Sequence, residues 1–362
     1  MLAFLLIVAM LALIIDLMAI VLFKPESVTI KPQDQWPMIS ILVPMRNEAV
    51  NVNALVENLL ELDYPSDRME ILIGEDRSTD QTSELLEKQA SLDPRIRVVL
   101  ITEDLPDLKA KANVIGQLIP HAKSDYYFIT DADVRLPANW LKAYLSVITD
   151  KAGVIGGTTV VKVHDFWTAL QNIDWIFAQG LLYTAGKNFR TVATSGTNML
   201  VTRKVCEAVG GYDKIPFWLT EDIGILTAAR KSGFTGMNIL DEKVAAVIEA
   251  QPDWGSLMSQ RSRWVYGVLR LPKIVIILLL IRSLFLIFVI LVAWWSVKAA
   301  LAIYVFKVAI NWIFIRRVAA CIGQTIPARH FLYFEVYYFL MSMGGLFSHL
   351  FSPDTNWKGR NY

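Results

Sequence analysis

The stretch that decides the fold of this chain is Tyr126-Tyr127-Phe128-Ile129-Thr130-Asp131-Ala132-Asp133. Its first five residues are all aromatic or β-branched, a composition that favours a buried β-strand. Two carboxylates follow directly at the point where that strand ends. Ligands of open α/β sheets bind beyond the carboxyl ends of the strands. The stretch therefore predicts a strand that delivers Asp131 and Asp133 to a binding site.

The segments before this strand alternate between strand and helix patterns. The predicted strands are 38–44, 70–74, 95–101 and 126–130, and the predicted helices are 51–62, 80–90 and 110–119. Such alternation predicts an α/β fold with a mostly parallel, Rossmann-like sheet and helices on both of its faces. Asp76 directly follows the second strand, so it is expected at the same edge of the sheet as Asp131.

The composition indicates membrane segments at both ends of the chain. Of the 362 residues, 54% are hydrophobic, which is more than a soluble domain usually has. The excess lies in 1–23 and 274–351. The net charge of +1 gives no indication of nucleic-acid binding. Two cysteines, Cys206 and Cys321, cannot form a disulfide framework and are expected to be free thiols.

Residues 1–23 are predicted to be an uncleaved transmembrane anchor, because about 20 apolar residues cross a bilayer. Lys24 follows the anchor directly, so the positive-inside rule places the next domain in the cytosol. We therefore expect an integral membrane protein of a bacterial inner membrane or its equivalent, with a cytosolic catalytic domain. Asp16 lies within the anchor. It is expected to face another helix, to snorkel, or to serve a function.

The apolar stretch 274–315 is long enough for two spans with a turn near 294–298, and Arg282 is expected at a cytosolic end. A third apolar segment, 331–351, carries Glu335. If it crossed the membrane, Lys358 and Arg360 would lie outside, against the positive-inside rule. A re-entrant or interfacial segment would remove that conflict.

Residues 162–185 have apolar residues at helical spacing and two tryptophans. Core packing and an interfacial position both fit this pattern, and we favour the interfacial one. The predicted organisation is an anchor (1–23), a linker (24–37), an α/β domain with interfacial helices (38–272), a C-terminal transmembrane region (273–351) and a polar tail (352–362).

Three groups of polar residues are candidates for a binding or catalytic site. Two carboxylates at a strand end, Asp131 and Asp133, suit a hard divalent cation such as Mg²⁺ or Mn²⁺, although solvated acidic turns are common. Thr220-Glu221-Asp222 supplies acids for proton transfer, or a helix start with Thr220 as its cap. Gln260-Arg261-Ser262-Arg263-Trp264 offers guanidiniums for phosphate oxygens and an indole for a sugar face, or an interfacial anchor.

Lys111 lies near the start of a predicted helix, where a positive charge opposes the helix dipole. A lysine in that position is explained if it holds a phosphate or base oxygen, whereas Lys109 is expected to be a solvated charge. Asp80 is expected to cap the helix that follows it.

Together these motifs resemble the membrane-bound branch of the family-2 glycosyltransferases, which includes cellulose and hyaluronan synthases and ceramide glucosyltransferase. The resemblance covers roughly residues 38–272 and implies a GT-A fold that binds a UDP-sugar. It implies nucleotide contacts for Pro44, Glu48, Asp76, Lys111 and Asp131. It also implies that Asp133 binds the metal ion directly and that Asp131 supports this metal site. It implies that Asp222 is the general base, that Gln260, Arg261 and Arg263 contact the diphosphate, and that Trp264 lies beside the acceptor.

The chain departs from the family pattern at two positions. Glu75 stands where the family more often has Asp, and Arg77 where it usually has Gly. The Arg77 change bears on the shape of the loop. Ser195-Gly196-Thr197-Asn198 resembles the acceptor-side loop of the family, which implies that Thr197 and Asn198 bind a sugar hydroxyl.

Within the family, the small membrane region favours a lipid acceptor over a growing polymer. The ending Trp357-Lys358-Gly359-Arg360 resembles those of ceramide glucosyltransferase and of bacterial glycolipid and carotenoid glycosyltransferases. The expectation is an inverting, single-displacement transfer to a membrane lipid. One alternative is a processive polysaccharide synthase. A second is an enzyme of the dolichyl-phosphate-mannose-synthase type, which the motif at 260–264 disfavours. A third is a non-catalytic nucleotide-sugar binder, which is disfavoured because all the motifs are intact. The sequence identifies neither the sugar nor the oligomeric state.

Overall fold

The computed structural model describes residues 2–215, 220–351, 356–357 and 360–361. The chain forms two compact units, each built from separate parts of the sequence. The helical unit comprises Met1–Pro25, Val161–Thr184 and Ala250–Thr355. The sheet unit comprises Glu26–Val160, Ala185–Glu249 and Asn356–Tyr362. The predicted domain bounds follow the chain in single pieces, whereas these two units are interleaved along it.

The described α-helices are, in chain order, α1 (Leu2–Leu22), α2 (Val52–Leu60), α3 (Thr82–Leu92), α4 (Ala110–Leu118), α5 (Trp140–Val147), α6 (Phe166–Asn188), α7 (Arg203–Ala208), α8 (Glu221–Lys231), α9 (Trp254–Val268), α10 (Lys273–Ser283), α11 (Phe285–Ala293), α12 (Val297–Cys321) and α13 (Phe331–Phe351). The described strands are β1 (Ile39–Met45), β2 (Met69–Glu75), β3 (Ile96–Leu100), β4 (Tyr126–Thr130), β5 (Val134–Arg135), β6 (Ala152–Gly156), β7 (Thr159–Val161), β8 (Asn198–Thr202), β9 (Thr235–Asn238), β10 (Ala246–Ile248), β11 (Asn356–Trp357) and β12 (Arg360–Asn361).

The sheet unit is built on a seven-stranded sheet with the strand order β3-β2-β1-β4-β8-β6-β9. Strands β1 to β4 pair in parallel, with Ile39 opposite Met69 and Ser40 opposite Tyr127. Strand β8 is antiparallel to both β4 and β6. A second sheet contains β5, β10 and β7. The mostly parallel α/β fold is therefore confirmed. All seven elements predicted up to Thr130 are present, with ends shifted by up to two residues.

Close packing of α4 on the sheet places its N-terminus at the carboxyl edge of the strands. A Cβ atom on Gly74 in β2 would lie 2.3 Å from Val114 Cγ1, so only glycine lets the helix approach this closely. Val114, Ile115 and Leu118 are fully buried against Leu42 and Ile129, among others. Burying each such side chain contributes about 1.5–3 kcal/mol. This packing fixes the position of Lys111 in the first turn of α4.

In the helical unit, three helices are long and apolar enough to cross a membrane: Ala3–Leu22, Lys273–Ala293 and Val297–Cys321. The predicted turn near 294–298 falls between α11 and α12 as expected. Small residues of α1, Ala9 and Ala12, pack with Phe285 and Val289 of α11, and small side chains allow membrane helices to approach closely. The third apolar segment forms α13 with the predicted ends, and it is not among the three.

Buried charges join the helices of this unit. Asp16 Oδ2 of α1 lies 3.0 Å from Arg282 Nη1 of α10 and 2.6 Å from Lys307 Nζ of α12. Arg282 Nη2 lies 3.7 Å from Glu335 Oε1 of α13. Asp16 therefore faces other helices, the first of the predicted alternatives. Arg282 lies in the last turn of α10, where its guanidinium is buried and its charge is compensated by Asp16 and Glu335. Its predicted position at a cytosolic end stays a prediction.

Helix α6 is buried over most of its surface. Seven consecutive residues, 168–174, are buried, and so are Ile176 and Phe177. An interfacial helix buries one face only, so core packing describes α6 better than the interfacial position that the sequence favoured. In the tail, β11 and β12 pair with each other. Lys358 and Gly359 of the tail motif lie outside the described residues.

Candidate active site

Two loops at the carboxyl edge of the sheet are joined by hydrogen bonds into one structure. Arg46 is buried and donates from Nη1 to the carbonyl oxygens of Asp76, at 2.5 Å, and Arg77, at 2.7 Å. Asn47 Oδ1 accepts from the Thr79 backbone at 2.8 Å. The backbone N–H of Glu48 donates to Thr82 Oγ1 at 2.9 Å. The loop after β1 and the loop after β2 are thus held together.

The structure buries Asp76, and only 1% of the residue is exposed. Arg77 Nε donates to Asp76 Oδ1 at 2.9 Å, and the same guanidinium also pairs with Asp104. Arg77 has φ 53°, a left-handed conformation that glycine adopts more readily. The loop thus keeps the backbone that a glycine favours, and the additional side chain neutralises Asp76.

Neighbouring acids of this loop stabilise its turns. Glu75 Oε1 accepts from the Ser78 backbone at 2.6 Å. Asp80 accepts from the backbone of Thr82, at 3.0 Å, and of Ala49, at 3.1 Å. The prediction that Asp80 is the N-cap of α3 is wrong by one residue, because the N-cap is Gln81. Asp80 nevertheless accepts the backbone N–H of Thr82, the first residue of the helix.

Lys111 lies at the centre of the candidate site. Its ammonium group lies 2.7 Å from Asp131 Oδ1 and 2.9 Å from Glu221 Oε1. It also donates to the Gly196 carbonyl oxygen at 2.8 Å. Burial disfavours the charged ammonium, but Asp131 and Glu221 outweigh this effect and raise the pKa of Lys111. Three segments that are distant in sequence, around 111, 131 and 221, meet at one positive charge.

Asp222 lies beside this cluster at the start of α8. Its Oδ2 accepts from the Gly196 backbone at 3.1 Å, and its Oδ1 accepts from the Ile223 backbone at 2.9 Å. Burial, and then the like charge of Glu221, raise the pKa of Asp222 to about 7. A carboxylate with a pKa near neutrality can accept a proton and release it again at physiological pH.

Asp131 and Asp133 have the chemistry of a divalent-cation site. Both lie on the turn between β4 and β5; Asp133 is exposed, and 26% of the Asp131 side chain is exposed. Their oxygens are hard ligands, which suit Mg²⁺ or Mn²⁺ that keeps waters and binds substrate phosphates. The described residues contain no group of three or more His, Cys, Asp or Glu side chains that could hold a metal ion, so these two carboxylates would leave the other coordination positions of a cation to waters and substrate phosphates.

Two sequence-based expectations near this site are corrected. Asn198 is fully buried: its Nδ2 donates to the carbonyl oxygens of Thr158 and Val244, and its Oδ1 accepts from Trp140 and Tyr144. It joins the start of β8 to α5 and to the residues that precede β7 and β10, and it has no capacity left for a sugar hydroxyl. Thr220 stands at the N-cap position of α8, but its side chain makes no capping hydrogen bond. Thr197 is partly exposed, and its hydroxyl lies within hydrogen-bond distance of Thr159 and Ser195.

Backbone strain is concentrated at the loops of this site. Among the described residues, three non-glycine residues have φ near +50°: Asn47, Arg77 and Ala110. Asn47 and Arg77 lie in the two joined loops, and Ala110 directly precedes Lys111. Such conformations cost of order 1–3 kcal/mol each and persist only where the surrounding structure enforces them. They support the assignment of these loops to a binding site.

The motif at 260–264 lies on α9 in the helical unit. Gln260 and Arg261 are buried, whereas Arg263 and Trp264 are partly exposed. Gln260 Oε1 has no hydrogen-bond partner within the described part of the chain, so a water or a ligand would be needed to satisfy it. Arg261 forms a buried ion pair with Asp174.

In the sheet unit, Pro44 and Glu48 are buried near the carboxyl end of β1.

Sequence reasoning overlooked the roles of three residues. Gly196 contributes both a carbonyl oxygen to Lys111 and an N–H to Asp222. Arg46 joins the two loops, and Asp174 pairs with Arg261. The stretch 162–185 contains two acids, Asp165 near its start and Asp174 among apolar residues. The position of Asp174 was the available signal, but periodicity does not identify its partner.

Comparison with protein families identifies one that covers nearly the whole chain: the model of Glycosyl transferase family 21 matches residues 3–362. The chain is 25% identical over 244 residues to the beta-monoglucosyldiacylglycerol synthase of Synechocystis, which covers 64% of this chain and 48% of the relative. It is 27% identical over 241 residues to the poly-beta-1,6-N-acetyl-D-glucosamine synthase of Staphylococcus aureus, which covers 65% and 55%. The chain thus spans about half the length of the curated relatives it matches.

Among solved structures, the chain is similar to a mannosyltransferase from Pyrobaculum calidifontis in complex with GDP-Man and Mn²⁺. The TM-score is 0.61 at 20% sequence identity, and the match covers 96% of this chain and 99% of that one. At this identity the similarity concerns the fold, and it confirms the predicted GT-A architecture.

Proposed function

We propose that this chain, which belongs to Glycosyl transferase family 21, transfers a sugar from a UDP-sugar to a membrane lipid. The observation that carries this proposal is the meeting of Lys111, Asp131 and Glu221 beside Asp222. A carboxylate with a pKa near neutrality can serve as the base of glycosyl transfer. The three N–H groups of Lys111 bind Asp131, Glu221 and the Gly196 carbonyl oxygen, so the lysine would contact a diphosphate by exchanging one of these partners. The Synechocystis relative, named for the synthesis of a glycolipid, favours a lipid acceptor.

The general base of this reaction is Asp222. Its carboxylate takes the proton of the acceptor hydroxyl while the oxygen attacks the anomeric carbon of the sugar. The bond from that carbon to the diphosphate breaks, and UDP leaves with the electron pair. Because attack and departure occur on opposite faces, the anomeric configuration is inverted. The hydrogen bonds from the Gly196 and Ile223 backbones orient the carboxylate.

The nucleotide is held by the joined loops after β1 and β2 together with Lys111. Pro44, Glu48 and Asp76 are our assignments for the base and ribose side, and Lys111 and Asp131 for the phosphate side. Gln260 and Arg263 are assigned to the diphosphate and Trp264 to the acceptor, as the family resemblance implies. Asp133 and Asp131 would hold Mg²⁺ or Mn²⁺, which when bound would offset the charge of the departing diphosphate.

The chain is proposed to be an integral membrane protein with its α/β domain in the cytosol. Among the described residues, three helices are long and apolar enough to cross a membrane, which supports the membrane assignment. Lys24, directly after α1, supports the cytosolic orientation. The proposal keeps the organisation predicted from the sequence: an anchor (1–23), a linker (24–37), an α/β domain (38–272), a C-terminal transmembrane region (273–351) and a polar tail (352–362). Protease treatment of sealed vesicles of known orientation tests it: cleavage of the α/β domain is expected only where the cytosolic face is outside.

A processive polysaccharide synthase is the second candidate, and the similarity to the Staphylococcus aureus synthase favours it.

One experiment separates the two candidates: membranes containing this chain are incubated with labelled UDP-sugars and Mg²⁺ or Mn²⁺, and membranes with Asp222→Asn serve as the matched control. One discrete labelled species in the organic extract supports the lipid transferase. Label in ethanol-insoluble material of high mass supports the polymer synthase. No Asp222-dependent label with any donor contradicts both.

A further inference from the structure

Asp174 of α6 and Arg261 of α9 form a buried ion pair in the helical unit. Arg261 Nη1 lies 2.7 Å from Asp174 Oδ2, and about 5% of each side chain is exposed. A further contact joins Arg261 Nη2 to the Tyr337 hydroxyl of α13 at 3.4 Å. Charged side chains are almost never buried to this extent unless they are paired, so this pair holds Arg261 in place between two helices.

The same region of α6 also contacts the tryptophan of the motif. Trp264 lies three residues after Arg261, on the same face of α9. The guanidinium carbon of Arg261 lies 4.2 Å from the centre of the Trp264 ring, a cation–π contact. Trp175, the neighbour of Asp174, packs edge-on against Trp264 with ring centres 5.0 Å apart. Two consecutive residues of α6 therefore hold two residues of the motif.

Helix α13 closes the other side of Arg261. A Cβ atom on Gly345 would lie 2.8 Å from Arg261 Cβ, so α13 and α9 are in direct contact at this residue. Arg261 is thus enclosed by Asp174, Tyr337, Trp264 and the backbone of α13. Arg263, the other arginine of the motif, is partly exposed. The two guanidiniums of this motif therefore have different environments.

We propose that Asp174 is a positioning residue, which fixes Arg261 and through it Trp264, and that Arg261 does not contact the diphosphate. This inference rests on the proposed function, because it assigns the supporting structure of the same motif. It replaces the role that the family resemblance implies for Arg261 and leaves that of Arg263 unchanged.

The two partners differ in what their removal leaves behind. An arginine cannot lose its proton in a protein, so removal of Asp174 leaves a permanent buried charge. Burial raises the pKa of Asp174 against the opposing effects of Arg261 and Arg282, so a lone Asp174 can become neutral by taking a proton. Replacement of both partners by apolar residues of similar size is often tolerated.

The test compares Asp174→Leu, Arg261→Met and the double variant, each purified as folded protein in detergent and assayed for transfer at equal amounts. Asp174→Leu is expected to raise KM for the lipid acceptor, to leave KM for the UDP-sugar nearly unchanged, and to lower kcat/KM for the acceptor by roughly 30-fold or more, and Arg261→Met by less. The double variant is expected to recover roughly tenfold of the loss caused by Asp174→Leu, since the buried charge is gone. The matched control is Asp165→Asn, which removes an exposed acid near the start of α6 and is expected to leave both constants unchanged.

Two outcomes overturn the inference. If the double variant folds like the wild type but stays as inactive as Asp174→Leu, Arg261 itself contacts the substrate. If Asp174→Leu lowers only the yield of folded protein, with KM and kcat of that protein unchanged, the pair is purely structural. If the Asp174 variants do not fold, Trp175→Leu and Trp175→Phe decide. The Leu variant is expected to raise KM for the lipid acceptor, because Trp175 packs against Trp264, whereas the Phe variant is expected to retain it. Equal KM values for the acceptor in the two variants contradict the inference. Absence of transfer by the wild type would instead refute the proposed function.

Discussion

Lys111 Nζ lies 2.7 Å from Asp131 Oδ1, which joins the first turn of α4 to the end of β4. The same ammonium also contacts Glu221 at the start of α8. A positive charge at a helix N-terminus opposes the helix dipole, and here two carboxylates compensate it. The lysine is therefore held at a fixed position at the carboxyl edge of the sheet, where a substrate diphosphate would be expected.

Replacement of Lys111 by Met is expected to lower kcat/KM for the UDP-sugar by roughly 100-fold, because charged hydrogen bonds contribute about 1.5–3 kcal/mol each. The change also leaves Asp131 and Glu221 without their shared cation. Transfer assays and UDP binding by calorimetry measure the effect. Lys109→Met is the matched control, since Lys109 is exposed two residues earlier. Equal losses in the two variants would contradict the assignment of Lys111.

Much of this site could be predicted from the sequence, because strand ends are local features. The run from Tyr126 to Thr130 has the composition of a strand, so Asp131 could be placed at the sheet edge before the structure was known. The contact between Asp131 and Glu221 through Lys111 could not, since residues 90 apart in sequence are brought together only by tertiary packing.

Arg77 shows a second limit of the sequence. Its departure from the usual glycine suggested an altered loop, yet the loop retains a left-handed residue at this position. Single-residue preferences are overridden when the surrounding hydrogen bonds fix the backbone, as Arg46 and Asn47 do here. Asn198 shows the converse, because its motif resembles a ligand-binding loop but tertiary contacts occupy its whole amide.

Asp222→Asn is expected to retain UDP binding and to lower kcat by roughly 100-fold to 10,000-fold, the usual contribution of a general base. An amide has a similar shape but cannot accept the proton of the acceptor hydroxyl. Binding of UDP measured by calorimetry and turnover measured with the labelled donor separate the two effects. Asp213→Asn, a change of an exposed nearby acid, serves as control. Turnover that matches the wild type would exclude Asp222 as the base.

The pH dependence of kcat is expected to follow the ionisation of Asp222. Its pKa is raised to about 7, by burial first and then by Glu221. The protonated form prevails below this pH, so kcat should rise as pH increases through about 7. Glu221→Gln removes the like charge and is expected to shift this acidic limb to lower pH, although it also removes a partner of Lys111. A limb at the same pH in both proteins would show that Glu221 does not influence the base.

Removal of Asp16 is expected to destabilise the helical unit. In Asp16→Leu, both Lys307 and Arg282 lose an ion-pair partner at 2.6 and 3.0 Å while they remain buried. Breaking a buried pair in this way costs about 3–5 kcal/mol, so Tm of the detergent-solubilised protein should fall by roughly 5–10 °C.

The double variant Asp16→Leu with Lys307→Met removes one of the unpaired cations, and Arg282 keeps Glu335. It should therefore regain part of the lost stability, whereas Asp34→Asn, at an exposed acid, should leave Tm unchanged. If Asp16→Leu melts like the wild type, the buried charges do not hold these helices together.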